Sequence, residues 1–286
     1  MTDSLPIALS APLSPAQQTA LINLVRRAAR TEVLPRFRSV SRAEATAKTG
    51  PRDLVTEADH AAEAMIARGL QRLFPHALIV GEEAVAARPD LRDEVAGAEF
   101  AIIIDPVDGT WNFVHGLPLF GVIVAVTRFG RPVLGLLYDP VADDWLIADE
   151  TAPAQLVAAN GIARRAATSA GGALGDLHGY VHASLMEQPR QEALYPRLAA
   201  LGQATALRCS CHEYRLLAQG AVDFVLSDRL NPWDHAAGVL ICQRAGGVAR
   251  MLDGQDYGTA QETGLLLCAG SEETWDALRD HFADLA

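Results

Sequence analysis

The chain is short of positive charge: 24 Lys and Arg stand against 35 Asp and Glu, for a formal net charge of −11. An acidic surface of this kind excludes non-specific nucleic-acid binding, which needs Lys and Arg clustered against phosphates. An anionic substrate stays open, provided that bound cations reverse the sign inside one cleft. Long apolar runs are missing as well. The run FGVIVAV, Phe120 to Val126, is far shorter than the roughly 20 residues that span a bilayer, so no membrane partner is expected. The opening MTDSLPIALSAPLSPAQQ has an early Asp3 and no basic segment, and it does not read as a secretory signal. Cysteines number four, in no regular framework, which suits a reducing cytoplasm. Internal repeats, low-complexity tracts and long linkers are absent.

What is present is 286 residues, 50% of them hydrophobic and 21% charged, enough for one large domain or two closely packed ones. Ser14 as N-cap and Pro15 at the first helical position predict a helix that ends near Pro35. A second helix is expected from about Thr56 to Leu73. ALIVGEE (77–83) and FAIIID (100–105) read as short buried strands. From Phe120 to Ile147, apolar runs joined by RFGRP and DPVADD read as hairpins. Beyond about residue 150 the order becomes strand and helix: strands at 176–184, 222–228 and 264–270, and helices at 188–202, 210–221 and 231–247. The expectation is a mixed α/β protein, with a largely antiparallel α+β half over 1–150 and an α/β half over 151–286.

The stretch AIIIDPVDGTWNFVHG (101–116) concentrates the chemistry. Asp105 closes a buried strand, Pro106 is expected to stop the ladder, and Gly109 allows close backbone approach to a ligand. A helix starting near 109 would turn free N–H groups toward a phosphate. Two carboxylates for cations beside an amide cradle fit metal-assisted phosphate chemistry. A bland alternative stands beside it, aspartates that merely cap a helix. An EF-hand loop fails, because the twelfth residue from Asp105 is Gly116. An aspartyl-phosphate phosphotransferase of the dehalogenase type spaces its two aspartates two apart, whereas here they are three apart.

Four blocks widen the view: DLVTEADH (53–60), VGEEA (80–84), DPVDGTWNF (105–113) and NPWDHAAGVLICQRAGG (231–247). In order and spacing they resemble the inositol monophosphatase family, over about residues 45 to 270. The resemblance implies a layered αβαβα sandwich of the sugar-phosphatase type, a homodimer, and Mg²⁺-dependent, lithium-sensitive hydrolysis of a small phosphorylated metabolite by direct water attack. It assigns Glu82, Asp105 and the Val107 carbonyl to one Mg²⁺, and Asp105, Asp108 and Asp234 to a second. A third, weaker ion would lean on Glu82, and Mn²⁺ is a possible substitute. Asp59 and Thr110 match the pair that positions and helps deprotonate the attacking water. Gly109 and Thr110 would donate N–H groups to the phosphate, with Asp108 and Asp234 beside the substrate. Lys48 matches a lysine on the loop before the first acidic block. Some members of the family associate with transcription machinery, so a regulatory role is a further reading.

Residue chemistry agrees with the metal assignment. Four converging carboxylates would raise each other's pKa unless divalent cations relieved the repulsion. The donors are all hard oxygens, with no His or Cys at zinc-like spacing, which favours Mg²⁺ or Mn²⁺. Elsewhere the resemblance thins. Glu83, if on a strand, points away from Glu82 and is expected either to support the ligands from behind or to be solvated. Trp111 is expected to be a packing residue and His115 a loop histidine satisfied by backbone. On the sugar side, the family's glycine-x-alanine turn becomes RCSCHEYRLL, and the position seven before Asp234 is Ser227, with Asp228 next to it. Glu213 or Asp228 would bind a hydroxyl or amine, or else be solvated. Cys209, Cys211 and His212 read as a buried helix start with inert thiols. DGTWNF points to the inositol and histidinol branch rather than to adenosine 3′,5′-bisphosphate, and LNPWD leans toward histidinol phosphate.

Overall fold

The computed structural model describes residues 12–39, 45–50 and 53–285, without the side chains of 47–50 and 53. Ser14 caps α1 (Pro15–Ala28) through a capping box with Gln17, and the helix continues as a π-helical turn to Val33. A small antiparallel pair, β1 (Thr46–Gly50) and β2 (Asp53–Val55), leads into α2 (Glu57–Leu73). Thr56 caps α2 in the same way, and the partner residue of that box is Asp59. β3 (Leu78–Gly81) is followed directly by α3 (Glu82–Ala87) and α4 (Leu91–Gly97). The strand expected over 77–83 therefore ends at Gly81, and Glu82 and Glu83 open a helix.

β4 (Ala101–Asp108), α5 (Thr110–Val114), β5 (Gly121–Arg128), β6 (Arg131–Asp139), β7 (Asp144–Asp149), β8 (Ala152–Val157) and β9 (Ala163–Arg165) follow. With β3 they form a seven-stranded sheet in chain order, parallel only at β3–β4. The unbroken apolar run of β4 has a simple cause, since both faces of the sheet are covered. Ile102 and Ile104 join the α1–α2 side of the core, while Ala101 and Ile103 join the opposite side. β5 alternates the same way, with Val122, Val124 and Val126 on one side and Ile123 and Ala125 on the other. Pro106 does not end the ladder as expected. Asp105 pairs with Ile123 and Asp108 with Gly121, so Pro106 and Val107 form a bulge opposite one residue.

The rest of the chain contributes β10 (His178–Val181), α6 (Gln188–Leu198), β11 (Gln203–Thr205), α7 (Ser210–Ala218), β12 (Phe224–Ser227), α8 (Pro232–Arg244), β13 (Val248–Met251), β14 (Leu266–Ala269) and α9 (Glu272–His281). A second, mixed sheet runs β11-β10-β12-β14-β13. Leu217 of α7 and Ile241 of α8 share one core with Ile123 and Leu137 of the first sheet and Val225 and Cys268 of the second. On the outer face of the second sheet, Leu194 of α6 and Trp275 and Leu278 of α9 pack with Phe224, Leu226 and Leu267. The layers are thus helix, sheet, helix, sheet, helix. β8 and β9 belong to the first sheet, so the change of sheet falls after Arg165 rather than at 150. No helix among the described residues is long and apolar enough to cross a membrane.

Candidate active site

Where β4 ends, the bulge, α5 and the first turns of α3, α7 and α8 surround a cleft of 810 Å³. The bulge turns Asp105 and Asp108 to the same cleft, and Asp234, in the first turn of α8, meets them from the other half of the chain. One oxygen from each of these three carboxylates lies within 4.8 Å of the others. Asp105 takes the Val107 N–H at 3.1 Å, and Asn231 donates to Asp234 at 3.0 Å. Asp108 accepts from the Cys211 N–H and, at 3.2 Å, from the Cys209 thiol. Burial, and then the charge of Asp234, pushes Asp108 up to about 7 despite those donors. A buried carboxylate resisting ionisation beside two others is a site that a divalent cation stabilises, and the all-oxygen donor set fits a hard ion. Glu82 lines the same cleft but stands outside the trio.

Glu82 owes its place to a residue that the sequence gave no reason to single out. Both oxygens of the buried Glu63, on α2, accept the N–H groups of Glu83 and Ala84, at 2.8 and 2.9 Å. Glu63 therefore caps α3 from a neighbouring helix. Gly81 permits this approach: a Cβ there would fall 2.1 Å from the Glu63 carboxyl carbon. Glu83 is buried and lines the cleft, 4.0 Å from His60, so it is neither solvated nor turned away by strand alternation.

Thr110 lines the cleft, and the buried Asp59 meets it from behind. Asp59 Oδ2 accepts the Thr56 N–H at 2.8 Å and its hydroxyl at 2.6 Å, which fixes the carboxylate. Asp59 Oδ1 lies 3.1 Å from the Thr110 hydroxyl, which is also 2.9 Å from the Val107 carbonyl. One hydroxyl proton serves two acceptors, so the oxygen can pass a proton toward Asp59 while its lone pairs accept another. Gly109, at φ +86°, adopts the left-handed conformation that starts α5, and a Cβ there would meet the Leu119 carbonyl at 2.8 Å. Lys48, the only lysine in the chain, is in β1, and its side chain lies outside the described residues.

The rest of the lining departs from several expectations. Trp111 lines the cleft instead of only packing, with the Arg208 guanidinium 4.0 Å above its ring and His115 stacked at 4.0 Å. His115 is satisfied by the Trp111 carbonyl at 2.7 Å. Cys209 and Cys211 are buried at the start of α7, and burial first, then the Asp108 charge for Cys209, keeps their thiols protonated. His212 turns to the Phe120 carbonyl, and burial pulls its pKa down. Glu213, offered above as a substrate contact, is wholly buried behind the wall. Its oxygens meet His182 Nε2 at 2.5 Å and the Leu207 N–H at 2.7 Å, and His182 is the residue that lines the cleft. Asp228 pairs with Arg190 at 3.3 Å and does not line it. Three further residues of the lining, His182, Arg208 and Arg229, were not singled out from the sequence. No spacing rule marks them, because each comes from a different loop.

A five-layer sandwich with a carboxylate-lined cleft beside the amide end of a short helix is the architecture of the sugar-phosphatase class. The chain belongs to the inositol monophosphatase family, whose model matches residues 15–283. It is 35% identical over 211 residues to a Thermotoga maritima protein named fructose-1,6-bisphosphatase/inositol-1-monophosphatase, covering 73% of this chain and 75% of the relative. To the Escherichia coli K12 Nus factor SuhB it is 30% identical over 243 residues, covering 80% and 84%. A solved Thermotoga maritima inositol monophosphatase superposes with a TM-score of 0.77 at 25% identity, over 95% of this chain and all of the other. One from Zymomonas mobilis gives 0.76 at 24% identity, over 95% and 100%, a likeness of fold.

Proposed function

We propose that the protein is a Mg²⁺-dependent phosphatase that hydrolyses a small phosphate monoester by direct attack of water. The observation that carries this reading is the meeting of Asp105, Asp108 and Asp234 within 4.8 Å in one cleft with Thr110, whose hydroxyl is backed by Asp59. Asp105, Asp108 and Asp234, with Glu82 and the Val107 carbonyl, would hold the ions. When bound, divalent cations neutralise the phosphate and make water more acidic. Thr110 would orient the water and Asp59 would take its proton at Oδ1, as general base. The N–H groups of Gly109 and Thr110 would hold the phosphate oxygens. Asp108, Asp234 and Thr110 would thus border the ester. By this route Asp105 is a ligand and forms no phosphoenzyme. Lys48 is proposed as a member of the catalytic set with Asp59, Thr110 and Glu82.

Inhibition by Li⁺, a homodimer and a cytoplasmic setting follow from membership of the family and are proposed with it. Four buried free cysteines accord with a reducing compartment. The test is an assay with Mg²⁺ against inositol phosphate, histidinol phosphate, sugar phosphates and adenosine 3′,5′-bisphosphate. Turnover of at least one ester is expected, lost on chelation and in Asp105→Asn. No turnover of any monoester would reject the reading. A regulatory role is a second reading, supported by the relatives named Nus factor SuhB. A binding role of that kind should survive Asp105→Asn in a pull-down, whereas hydrolysis should not.

A further inference from the structure

Asp234 has to be delivered to two like charges. Its carboxylate comes within 4.8 Å of those of Asp105 and Asp108, and until a cation is bound the three repel one another. Asp234 sits in the first turn of α8, so the repulsion bears on the start of that helix and on the segment 228–231 before it. The segment is tied at every residue. Asp228 pairs with Arg190 of α6 at 3.3 Å, and the Arg229 carbonyl meets His235 Nε2 at 2.5 Å. Asn231 donates to Asp234 itself at 3.0 Å. These three ties come from the same half of the chain as Asp234 and can move with it.

The Leu230 carbonyl is held from the other half. Arg92 lies on α4, and Val95 of that helix is buried in one core with Ile103 of β4. Nη2 of Arg92 carries two hydrogens and lies 3.0 Å from each of two carbonyls, Leu230 and Gln261. Gln261 belongs to the loop between β13 and β14, where the Thr259 N–H donates to the Gly130 carbonyl at the β5–β6 turn, 3.1 Å away. The guanidinium thus joins α4 to two segments of the second half through charge-assisted bonds. Its Nε lies 3.5 Å from Glu262, which is exposed, and an ion pair of that kind contributes little. We propose that Arg92 is a positioning residue of the metal site: through the Leu230 carbonyl it fixes the start of α8, and so Asp234, against Asp105 and Asp108. This rests on the metal-dependent reading above. Arg92 does not line the cleft, so it acts on the site through α8 alone.

The experiment measures Mn²⁺ binding to the metal-free full chain by electron paramagnetic resonance of the free ion. Arg92→Met keeps an apolar stem and removes the donors. Mn²⁺ affinity at the position that uses Asp234 should fall by about 10- to 100-fold, the usual cost of losing a group that orients metal ligands. Arg92→Lys, which can reach one carbonyl, should recover part of the loss, and Glu262→Gln should bind as the wild type does. In an Asp234→Asn background, the Mn²⁺ that still binds should be insensitive to Arg92→Met, because the effect passes through Asp234. A general loosening of the fold would instead weaken binding in both backgrounds. Wild-type affinity in Arg92→Met, or an equal loss with and without Asp234, would overturn this inference and leave the phosphatase reading intact. Should Arg92→Met fail to fold, Arg92→Lys carries the same comparison. Mn²⁺ binding with no turnover of any ester would reject the phosphatase reading alone, and a wild type that binds no Mn²⁺ would remove both.

Discussion

At the scale of single residues, the site works by fixing carboxylates that would otherwise swing. Asp59 is held by the Thr56 amide and hydroxyl through one oxygen, and its other oxygen meets the Thr110 hydroxyl. Asp59→Asn keeps the shape but cannot take a proton, and kcat is expected to fall by about 10²–10⁴-fold, with Mg²⁺ affinity by calorimetry nearly unchanged. An equal loss of Mg²⁺ binding would refute the assignment of Asp59 as the base. His182 gives a pH signature. Its folded pKa of about 9 lies above the ordinary value of 6.5, so its contribution to stability is complete below about 6.5 and is lost as pH rises through 9. The groups around it are Glu213, Asp234 and Asp108, which favour its charge, and His235, whose own charge burial opposes. The melting temperature of the metal-free protein should therefore drop between pH 7 and 9.5 more steeply in the wild type than in the His182→Gln, Glu213→Gln variant. Parallel curves would show that the pair does not titrate in this window.

At the scale of elements, short helices open onto the cleft, and each is aimed by something outside itself. α3 has no side-chain cap of its own, and Glu63 on α2 supplies one across 20 positions of sequence. Glu63→Ala would leave one buried amide, Glu83, and one half-buried amide, Ala84, without acceptors, at a cost of about 1–3 kcal/mol for a fully buried unsatisfied group. Thermal melts should register that loss, and calorimetry should show weaker Mg²⁺ binding, because Glu82 is the first residue of α3. Gly81→Ala should reproduce both effects, since its methyl group would strike the same carboxylate. Wild-type metal affinity in both variants would mean that α3 does not serve the metal site. The bulge in β4 plays a comparable part. It turns what the sequence presents as the end of a strand into a paired segment, and so carries Asp105 and Asp108 on one continuous, wholly buried strand.

At the scale of the whole molecule, the site exists only because the two sheets share a helical layer. α8 brings Asp234 to the first sheet's aspartates while its own apolar residues, Ala237 and Ile241 among them, are buried between the sheets. A cation bridging Asp105, Asp108 and Asp234 would tie the two halves together. Binding to the folded state alone should raise stability by about 2.7 kcal/mol at a hundredfold excess over Kd. The melting temperature is expected to climb with Mg²⁺ in the wild type and to respond little in Asp234→Asn. A rise of equal size in that variant would place the stabilising ion elsewhere.

The sequence by itself determined the local devices: the capping boxes of α1 and α2, the alternation of β4 and β5 between two apolar layers, and the DPVDGT loop with its glycine. These depend on residues a few positions apart, and backbone geometry leaves them little choice. It also carried the four blocks from which the family and the layered fold could be read. Tertiary structure alone decided the Glu63 cap, the withdrawal of Glu213 behind His182, and the arrival of His182, Arg208 and Arg229 in the cleft lining. It also decided the membership of β8 and β9 in the first sheet. His182 and Glu213 are 31 positions apart, and no periodicity links them. A buried acid becomes a support or a ligand according to what packing sets beside it, and that is fixed only when the layers close.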